Sequence, residues 1–125
     1  MPKRVLDVGQ CPPDHAAIRI LLEANFDVEI VRAHLPSDTL AQLRSGKFDL
    51  VLINRKLDED YSDGLEILKE IKADPRIAAT PVMLVTNYPE HQAAAVAAGA
   101  EYGFGKLELR SPETLERLRK VLGEE

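Results

Sequence analysis

Residues 49–54 read DLVLIN, an apolar strand that ends in a polar residue, Asn54. The four residues before Asn54 are all apolar, which is typical of a parallel strand buried on both faces. A second apolar segment, residues 81–86, ends on the hydroxyl of Thr86, and a short third one leads into Lys106. Open α/β sheets place their sites where the carboxyl ends of parallel strands meet. The sequence therefore predicts that an amide, a hydroxyl and an ammonium group converge at one edge of a sheet.

Apolar strands and amphipathic helical segments alternate along the rest of the chain. The predicted strands cover residues 5–8, 26–31, 50–53, 82–85 and 102–105. The predicted helices begin at Asp14, Pro36, Asp63, Pro89 and Ser111. This alternation predicts an α/β fold, a doubly wound (βα)5 sandwich whose parallel sheet carries helices on both faces. The length of 125 residues fits a single domain, 1–125, and we expect no attached output domain.

Composition excludes several classes of function. The formal net charge of -5 argues against a protein that binds the phosphate backbone of nucleic acids. No segment of about 18 consecutive apolar residues could span a membrane, and the charged N-terminus has no apolar signal core. Cys11 is the single cysteine, so no disulfide can form within the chain, which fits a reducing cytoplasm. We expect a cytoplasmic protein that binds neither nucleic acid nor membrane.

Three features of the pattern occur together in one known family. Thr86 ends the fourth predicted strand, Lys106 follows the fifth, and DGLE at residues 63–66 opens the third helix. In these features, and over nearly its whole length, the sequence resembles the receiver domain of bacterial response regulators. The resemblance implies a flavodoxin-like, five-stranded sheet of order 2-1-3-4-5. It also implies an aspartate at the end of the third strand that accepts a phosphoryl group, and an acidic pair after the first strand that holds Mg²⁺.

The position of the phosphoryl-accepting aspartate in this resemblance is occupied by Asn54. A carboxylate can attack phosphorus and hold the group as an aspartyl phosphate. A neutral carboxamide is a far poorer nucleophile and adds no charge that would attract a metal. Thr86 and Lys106 remain, and we expect them to hydrogen-bond Asn54 in a vestigial site.

The positions of the acidic pair also lack carboxylates. The pair falls on Gly9 and Gln10, or on Gln10 and Cys11 in the alternative alignment. Asp7 could substitute only if the loop after it carried extra residues. Because Mg²⁺ is usually held by one or two carboxylates together with phosphate oxygens, the sequence predicts no metal, no cofactor and no phosphoryl transfer at the usual site.

The aromatic residue that switches conformation in receiver domains is replaced by Gly103. Its neighbour Tyr102 should face the other side of the sheet, because side chains alternate along a strand. Receiver domains commonly bind partners through the fourth helix, fifth strand and fifth helix. We expect this face to bind a protein partner (a histidine kinase, another regulator or an output protein) or a second copy of the chain. Its expected residues are Ala94, Gly103, Arg117 and Lys120.

The favoured hypothesis is therefore a non-enzymatic signalling module of a two-component or phosphorelay system that acts through protein contacts. The alternative is a phosphorelay receiver that is phosphorylated on a substitute acid, Asp58 or Asp60. A flavodoxin-fold cofactor binder or enzyme is a more distant alternative, since no hydroxyl-rich phosphate loop follows the first strand. His15 and His91 are expected to be exposed helix positions without a role.

Overall fold

Five parallel strands and five helices alternate along the chain in the computed structural model, which describes residues 2–123. The strands are β1 (Lys3–Val8), β2 (Val28–Ala33), β3 (Leu50–Asn54), β4 (Val82–Val85) and β5 (Glu101–Phe104). The helices are α1 (Pro12–Asn25), α2 (Pro36–Ser45), α3 (Gly64–Ala73), α4 (Pro89–Ala97) and α5 (Pro112–Leu122). A short 3₁₀ helix spans Lys106–Glu108. The sheet order is β2-β1-β3-β4-β5, so the predicted fold class is confirmed.

Two hydrophobic cores lie on opposite faces of the sheet. Alternate residues of β3 enter different cores, because successive side chains of a strand point to opposite faces. Leu50 and Leu52 pack with Ile18 of α1 and Leu118 of α5. Val51 and Ile53 belong to the core that includes residues of α2, α3 and α4 (Leu43, Leu68 and Ala95). The central strands are therefore covered on both sides, as their uninterrupted apolar sequence predicts.

The predicted bounds of the two edge strands are wrong by one or two residues. β2 begins at Val28 rather than Phe26 because the backbone N–H of Phe26 donates to Leu22 and ends helix α1. β5 ends at Phe104, before a 3₁₀ turn that begins at Lys106. Lys106 therefore lies in the connection after the strand, at the same sheet edge as Asn54.

The predicted start of the first helix is also wrong. Helix α1 begins at Pro12, with Cys11 as the N-cap residue, because proline is well tolerated at the first helical positions, where its missing N–H would have no partner. Asp14 is consequently not a cap but lies in the first turn of the helix. By contrast, Asp63 does cap α3, since its carboxylate accepts a hydrogen bond from the N–H of Leu65.

The helices of residues 2–123 are all too short or too polar to cross a membrane.

Candidate functional site

A cleft of about 230 Å³ opens at the carboxyl edge of the sheet. It lies where β3, β4 and the turn after β5 approach one another. Its lining includes Asn54, Thr86 and Lys106, together with Arg55, Lys56 and Asn87. No aspartate or glutamate of the described chain lines it. An amide, a hydroxyl and an ammonium group thus share one site, whereas the carboxylates that would accept phosphate or hold a metal are absent from its walls.

The side chain of Asn54 is held by the loop that follows β1. Its Nδ2 donates a hydrogen bond of 3.1 Å to the carbonyl of Gly9. The same carbonyl accepts a second bond, of 2.9 Å, from the backbone N–H of Asp58. Within the described residues no hydrogen bond joins Asn54 to Thr86 or Lys106, so the expectation that these two residues hold Asn54 is wrong. The amide instead ties β3 to the first loop.

Gly9 and Leu57 pack closely at the position that holds the first member of the acidic pair in the first of the two alignments. Gly9 has φ +75°, a left-handed conformation that L-residues with a side chain rarely adopt. A Cβ built at this position would lie 2.5 Å from Cγ of Leu57. Leu57 is fully buried, and its N–H donates to the carbonyl of Ser62, which folds the loop after β3 back on itself. An acidic residue therefore cannot enter at position 9 unless this loop moves.

Asp7 lies beneath helix α1 and not in the lining of the cleft. It is 1% exposed, and its Oδ2 is 2.6 Å from Nδ1 of His15. Burial raises the pKa of the Asp7 carboxyl above its usual value, although the hydrogen bond and charge of His15 oppose this effect. Oδ1 of Asp7 and both polar atoms of the Gln10 side chain are buried without a hydrogen-bond partner. Asp7 therefore does not replace the acidic pair, and His15 is not the exposed position expected from sequence.

Lys106 pairs with a carboxylate that the sequence pattern did not single out for the site. Its Nζ lies 2.7 Å from Oδ2 of Asp14, and Sγ of Cys11 donates to the same oxygen at 3.1 Å. Partial burial acts to raise the pKa of Asp14, but the hydrogen bonds from Lys106 and Cys11 outweigh it and lower that pKa. The proline pair before Asp14 was the available signal, because prolines at the first helical positions place Asp14 in the first turn of α1 and hence near the sheet edge.

Thr86 is engaged by the first turn of α4. Its Oγ1 lies 3.1 Å from Nδ1 of His91 and accepts a bond of 3.3 Å from the N–H of Tyr88. The ring of His91 also packs edge-on against Tyr88, with centroids 5.2 Å apart. His91 is thus half-buried against the site hydroxyl, where the sequence had predicted an exposed helix position without a role.

Gln92 lies at the junction of α4 with the neighbouring strands β4 and β5. The side chain is 2% exposed. Its Nε2 donates to the carbonyl of Leu84 at 2.9 Å, and its Oε1 accepts from the N–H of Gly103 at 2.8 Å. A Cβ at Gly103 would lie 2.3 Å from the Leu84 carbonyl oxygen. The strands approach too closely here for any side chain at the position of the aromatic switch.

Tyr102 points away from this junction and packs against α5. The guanidinium of Arg117 lies 4.5 Å from the centre of the Tyr102 ring and donates a 2.9 Å hydrogen bond to the carbonyl of Gly103. Ala94 and Lys120 are exposed on α4 and α5. Of the four residues expected on the interaction surface, Gly103 is buried, Arg117 is tied to β5, and Ala94 and Lys120 are free to meet a partner.

Asp58 and Asp60 are exposed in the loop after β3 and do not line the cleft. The carboxylate of Asp60 accepts hydrogen bonds from the hydroxyl and the N–H of Ser62, which lower its pKa. Within residues 2–123, no group of three or more histidine, cysteine, aspartate or glutamate side chains is placed to hold a metal ion.

Comparison with known proteins identifies the family. Residues 11–119 match the family described as the response regulator receiver domain. The chain belongs to this family. It is a receiver domain of two-component signalling. The transcriptional regulatory protein ZraR of Salmonella typhimurium is 36% identical over 116 residues. That alignment covers 89% of this chain and 24% of ZraR, so the chain spans about a quarter of this relative's length.

Solved receiver structures share the fold of this receiver domain. A putative response regulator from Chloroflexus aurantiacus superposes with a TM-score of 0.78 at 20% identity, covering 99% of this chain and all of the other. The chemotaxis response regulator CheY4 of Vibrio cholerae gives a TM-score of 0.72 at 23% identity, with 98% of this chain covered and all of that one. At these identities the likeness establishes the architecture, and the chemistry of the site depends on the residues of this chain.

Proposed function

We propose that this receiver domain is not phosphorylated at the usual position and that it signals through protein contacts made by a fixed surface. The observation that carries the proposal is the hydrogen bond from the Asn54 amide to the Gly9 carbonyl. An aspartate at this position would direct a carboxylate oxygen at a carbonyl oxygen. The local hydrogen bonding is therefore matched to a carboxamide and not to a phosphoryl acceptor.

The surroundings of Asn54 also do not fit the Mg²⁺ ion that receiver domains use. Mg²⁺ is usually held by carboxylates together with phosphate oxygens. In either alignment the acidic pair lacks a carboxylate, since Gly9 is covered by Leu57, the Gln10 amide is buried, and the Cys11 thiol donates to Asp14. Asp14, a nearby carboxylate, is paired with Lys106. With neither a nucleophile nor carboxylate ligands for Mg²⁺, the site lacks the acceptor and the metal on which phosphoryl transfer depends.

The face formed by α4, β5 and α5 supports a constitutive surface. In a switching protein, a ligand must interact differently with two conformations to shift the balance between them. Here the buried Gln92 joins α4 to β4 and β5, and no side chain fits at Gly103. Arg117 holds Tyr102 in place on the other side of the strand. We infer that regulation comes from the amount of partner present and not from a phosphorylation-dependent rearrangement.

The claim that the site does not bind Mg²⁺ is tested by titrating the protein with Mg²⁺ and following its amide resonances by NMR. We expect no saturable shifts of Gly9, Gln10 or Asn54 at millimolar Mg²⁺. Saturable shifts confined to these amides would contradict the proposal, because they would reveal a working metal site. A matched titration with Na⁺ at equal ionic strength controls for general screening.

A further inference from the structure

A buried polar cluster lies beneath helix α1, outside the cleft. Asp7 follows Val5 by two residues and so points to the same face of the sheet, the face covered by Ile18 of α1. The Asp7 side chain is buried, and its Oδ2 lies 2.6 Å from Nδ1 of His15. Its Oδ1 and both polar atoms of the Gln10 side chain have no hydrogen-bond partner among the described residues. One oxygen of Asp7 therefore has no protein donor that would stabilise a negative charge on it.

Few charged groups face Asp7 from the elements packed around it. His15 does so from α1, and Arg32 does so from β2, where it lies opposite Asp7 in the strand register. The guanidinium of Arg32, however, donates to a backbone carbonyl of the loop after β1. The strand β3 and the helix α5 contribute the apolar side chains of Leu52 and Leu118 to this core. In residues 2–123, His15 is thus the only titratable group in hydrogen-bond contact with Asp7.

The burial of Asp7 links its proton to the packing around it. Burial raises the pKa of the Asp7 carboxyl, and the hydrogen bond and charge of His15 oppose this rise. The folded protein therefore keeps this proton at pH values at which an exposed aspartate would lose it. Once the proton is lost, the carboxylate is more stable where water reaches it. Deprotonation consequently favours any local opening that hydrates Asp7.

The first turns of α1 are the weakest part of this cover. The buried residues of α1 are Ile18 and Leu22, so residues 12–17 are exposed or half-buried. Within the described chain, two side-chain contacts attach this segment to the rest of the domain. One is the contact of His15 with Asp7, and the other is the ion pair of Asp14. Segments with few buried contacts open at a low cost in free energy.

We propose that Asp7 and His15 form an acid-sensitive latch, which holds residues 12–17 of α1 against the sheet while Asp7 is protonated and releases them as pH rises. Because Asp14 is the neighbour of His15 in the first turn, release also loosens its ion pair with Lys106 at the edge of the sheet. The inference goes beyond the proposed function and does not depend on it, since it concerns α1 and not the face formed by α4, β5 and α5.

The test is an NMR pH titration of the full chain that follows the side-chain carboxyl carbon of Asp7 and the backbone amides of residues 12–17 and Lys106. We expect the Asp7 midpoint to lie above the ordinary carboxyl pKa of 3.8, and the amides to share that midpoint. His15→Gln removes the charge that opposes the raised pKa, so the midpoint should move to higher pH. Asp7→Asn, which has nearly the same shape, should abolish the shared transition. The control His34→Gln changes an exposed loop histidine and should leave the transition unchanged.

Three results would overturn the inference. An Asp7 midpoint at or below 3.8 would mean that the folded protein does not retain the proton. An amide transition that persists in Asp7→Asn, or that moves in His34→Gln, would assign it to another group. Titration of Asp7 above 3.8 with unchanged amides in residues 12–17 would show a buried pair that does not act on the helix.

Discussion

The side-chain amide of Asn54 donates a 3.1 Å hydrogen bond to the backbone carbonyl of Gly9. This bond joins the end of a central strand to the loop where receiver domains carry metal-binding acids. Restoring the carboxylate by Asn54→Asp should set two oxygens against each other and cost about 1–3 kcal/mol of unfolding free energy, because it leaves a partly buried, charged carboxylate without the hydrogen bond that the amide makes. Chemical denaturation measures the change.

The matched control is Asn25→Asp. The Asn25 amide also donates to a carbonyl, that of Leu21, but at an exposed position, so its loss should cost about 1 kcal/mol or less. The Asn54→Asp protein should still fail to bind beryllofluoride with a millimolar requirement for Mg²⁺, because Gly9 and Gln10 supply no carboxylate. Tight, Mg²⁺-dependent binding of beryllofluoride by this single variant would mean that the wild-type site lacks only the carboxylate at position 54.

Gly9→Ala tests whether Leu57 closes the first loop. Placing alanine in the left-handed backbone conformation should cost about 1–2 kcal/mol of unfolding free energy. The clash of its Cβ with Leu57 should cost about 1–3 kcal/mol more. Gly123→Ala is the control, since Gly123 has φ +83° but no atom within 4 Å of the added Cβ. Gly9→Ala should be the more destabilising of the two. Combining it with Leu57→Ala should recover part of the loss in a double-mutant cycle, and strict additivity would contradict the contact.

The buried Asp7 predicts an unusual pH dependence. Its pKa is raised mainly by burial, so the folded protein binds this proton more tightly than the unfolded chain does. The stabilisation from this group is present below its unfolded pKa, near 3.8, and is lost as pH rises through the higher folded value. The Asp7→Asn variant has no carboxyl to titrate, so it should not lose stability in this way as pH rises. The oxygen of the asparagine side chain can still accept a hydrogen bond from His15. As pH rises from acidic to neutral, the denaturant midpoint of Asp7→Asn should therefore increase relative to that of the wild type. A difference between the two midpoints that does not change with pH would refute the raised pKa of Asp7.

Leu52 and Leu84 test the strand order. Both are buried in central strands, so truncation of either to alanine should cost about 2–5 kcal/mol. Val28→Ala on the edge strand β2 should cost less, because Val28 is only partly buried. Urea midpoints that ranked Val28→Ala as the most damaging variant would contradict the two-core arrangement.

Lys120 tests the proposed interaction face. It is exposed on α5 beside Tyr102, whereas Arg117 supports β5, and reversing the charge of Arg117 would disturb the fold as well as the surface. Lys120→Glu should weaken self-association or partner binding, and more so at low salt, since exposed charges are screened beyond about 10 Å at 0.1 M. Arg119→Glu is the control on the same helix. Equal effects of both variants in sedimentation experiments would point to net charge instead of a defined surface.

The sequence predicted the order of elements well because apolar strands and helix-end residues are local signals. Residues 50–53 are apolar throughout, and Asn54 follows them at the sheet edge. The partners of the site residues could not be predicted in the same way. Whether Lys106 meets Asn54 or Asp14 depends on where α1 begins, and a start at Pro12 moves Asp14 into reach. The contacts of His15 and His91 likewise depend on helix rotation, which the hydrophobic pattern defines only approximately.

The central claim is tested most directly by the intact mass of the protein after incubation with acetyl phosphate and Mg²⁺. We predict an unchanged mass, because Asn54 cannot accept the phosphoryl group and no acidic pair is present to hold the metal. A stoichiometric, base-labile gain of one phosphoryl group would contradict the account. Mapping that group to Asp58 or Asp60 would establish the alternative, a relay receiver that uses a substitute acid.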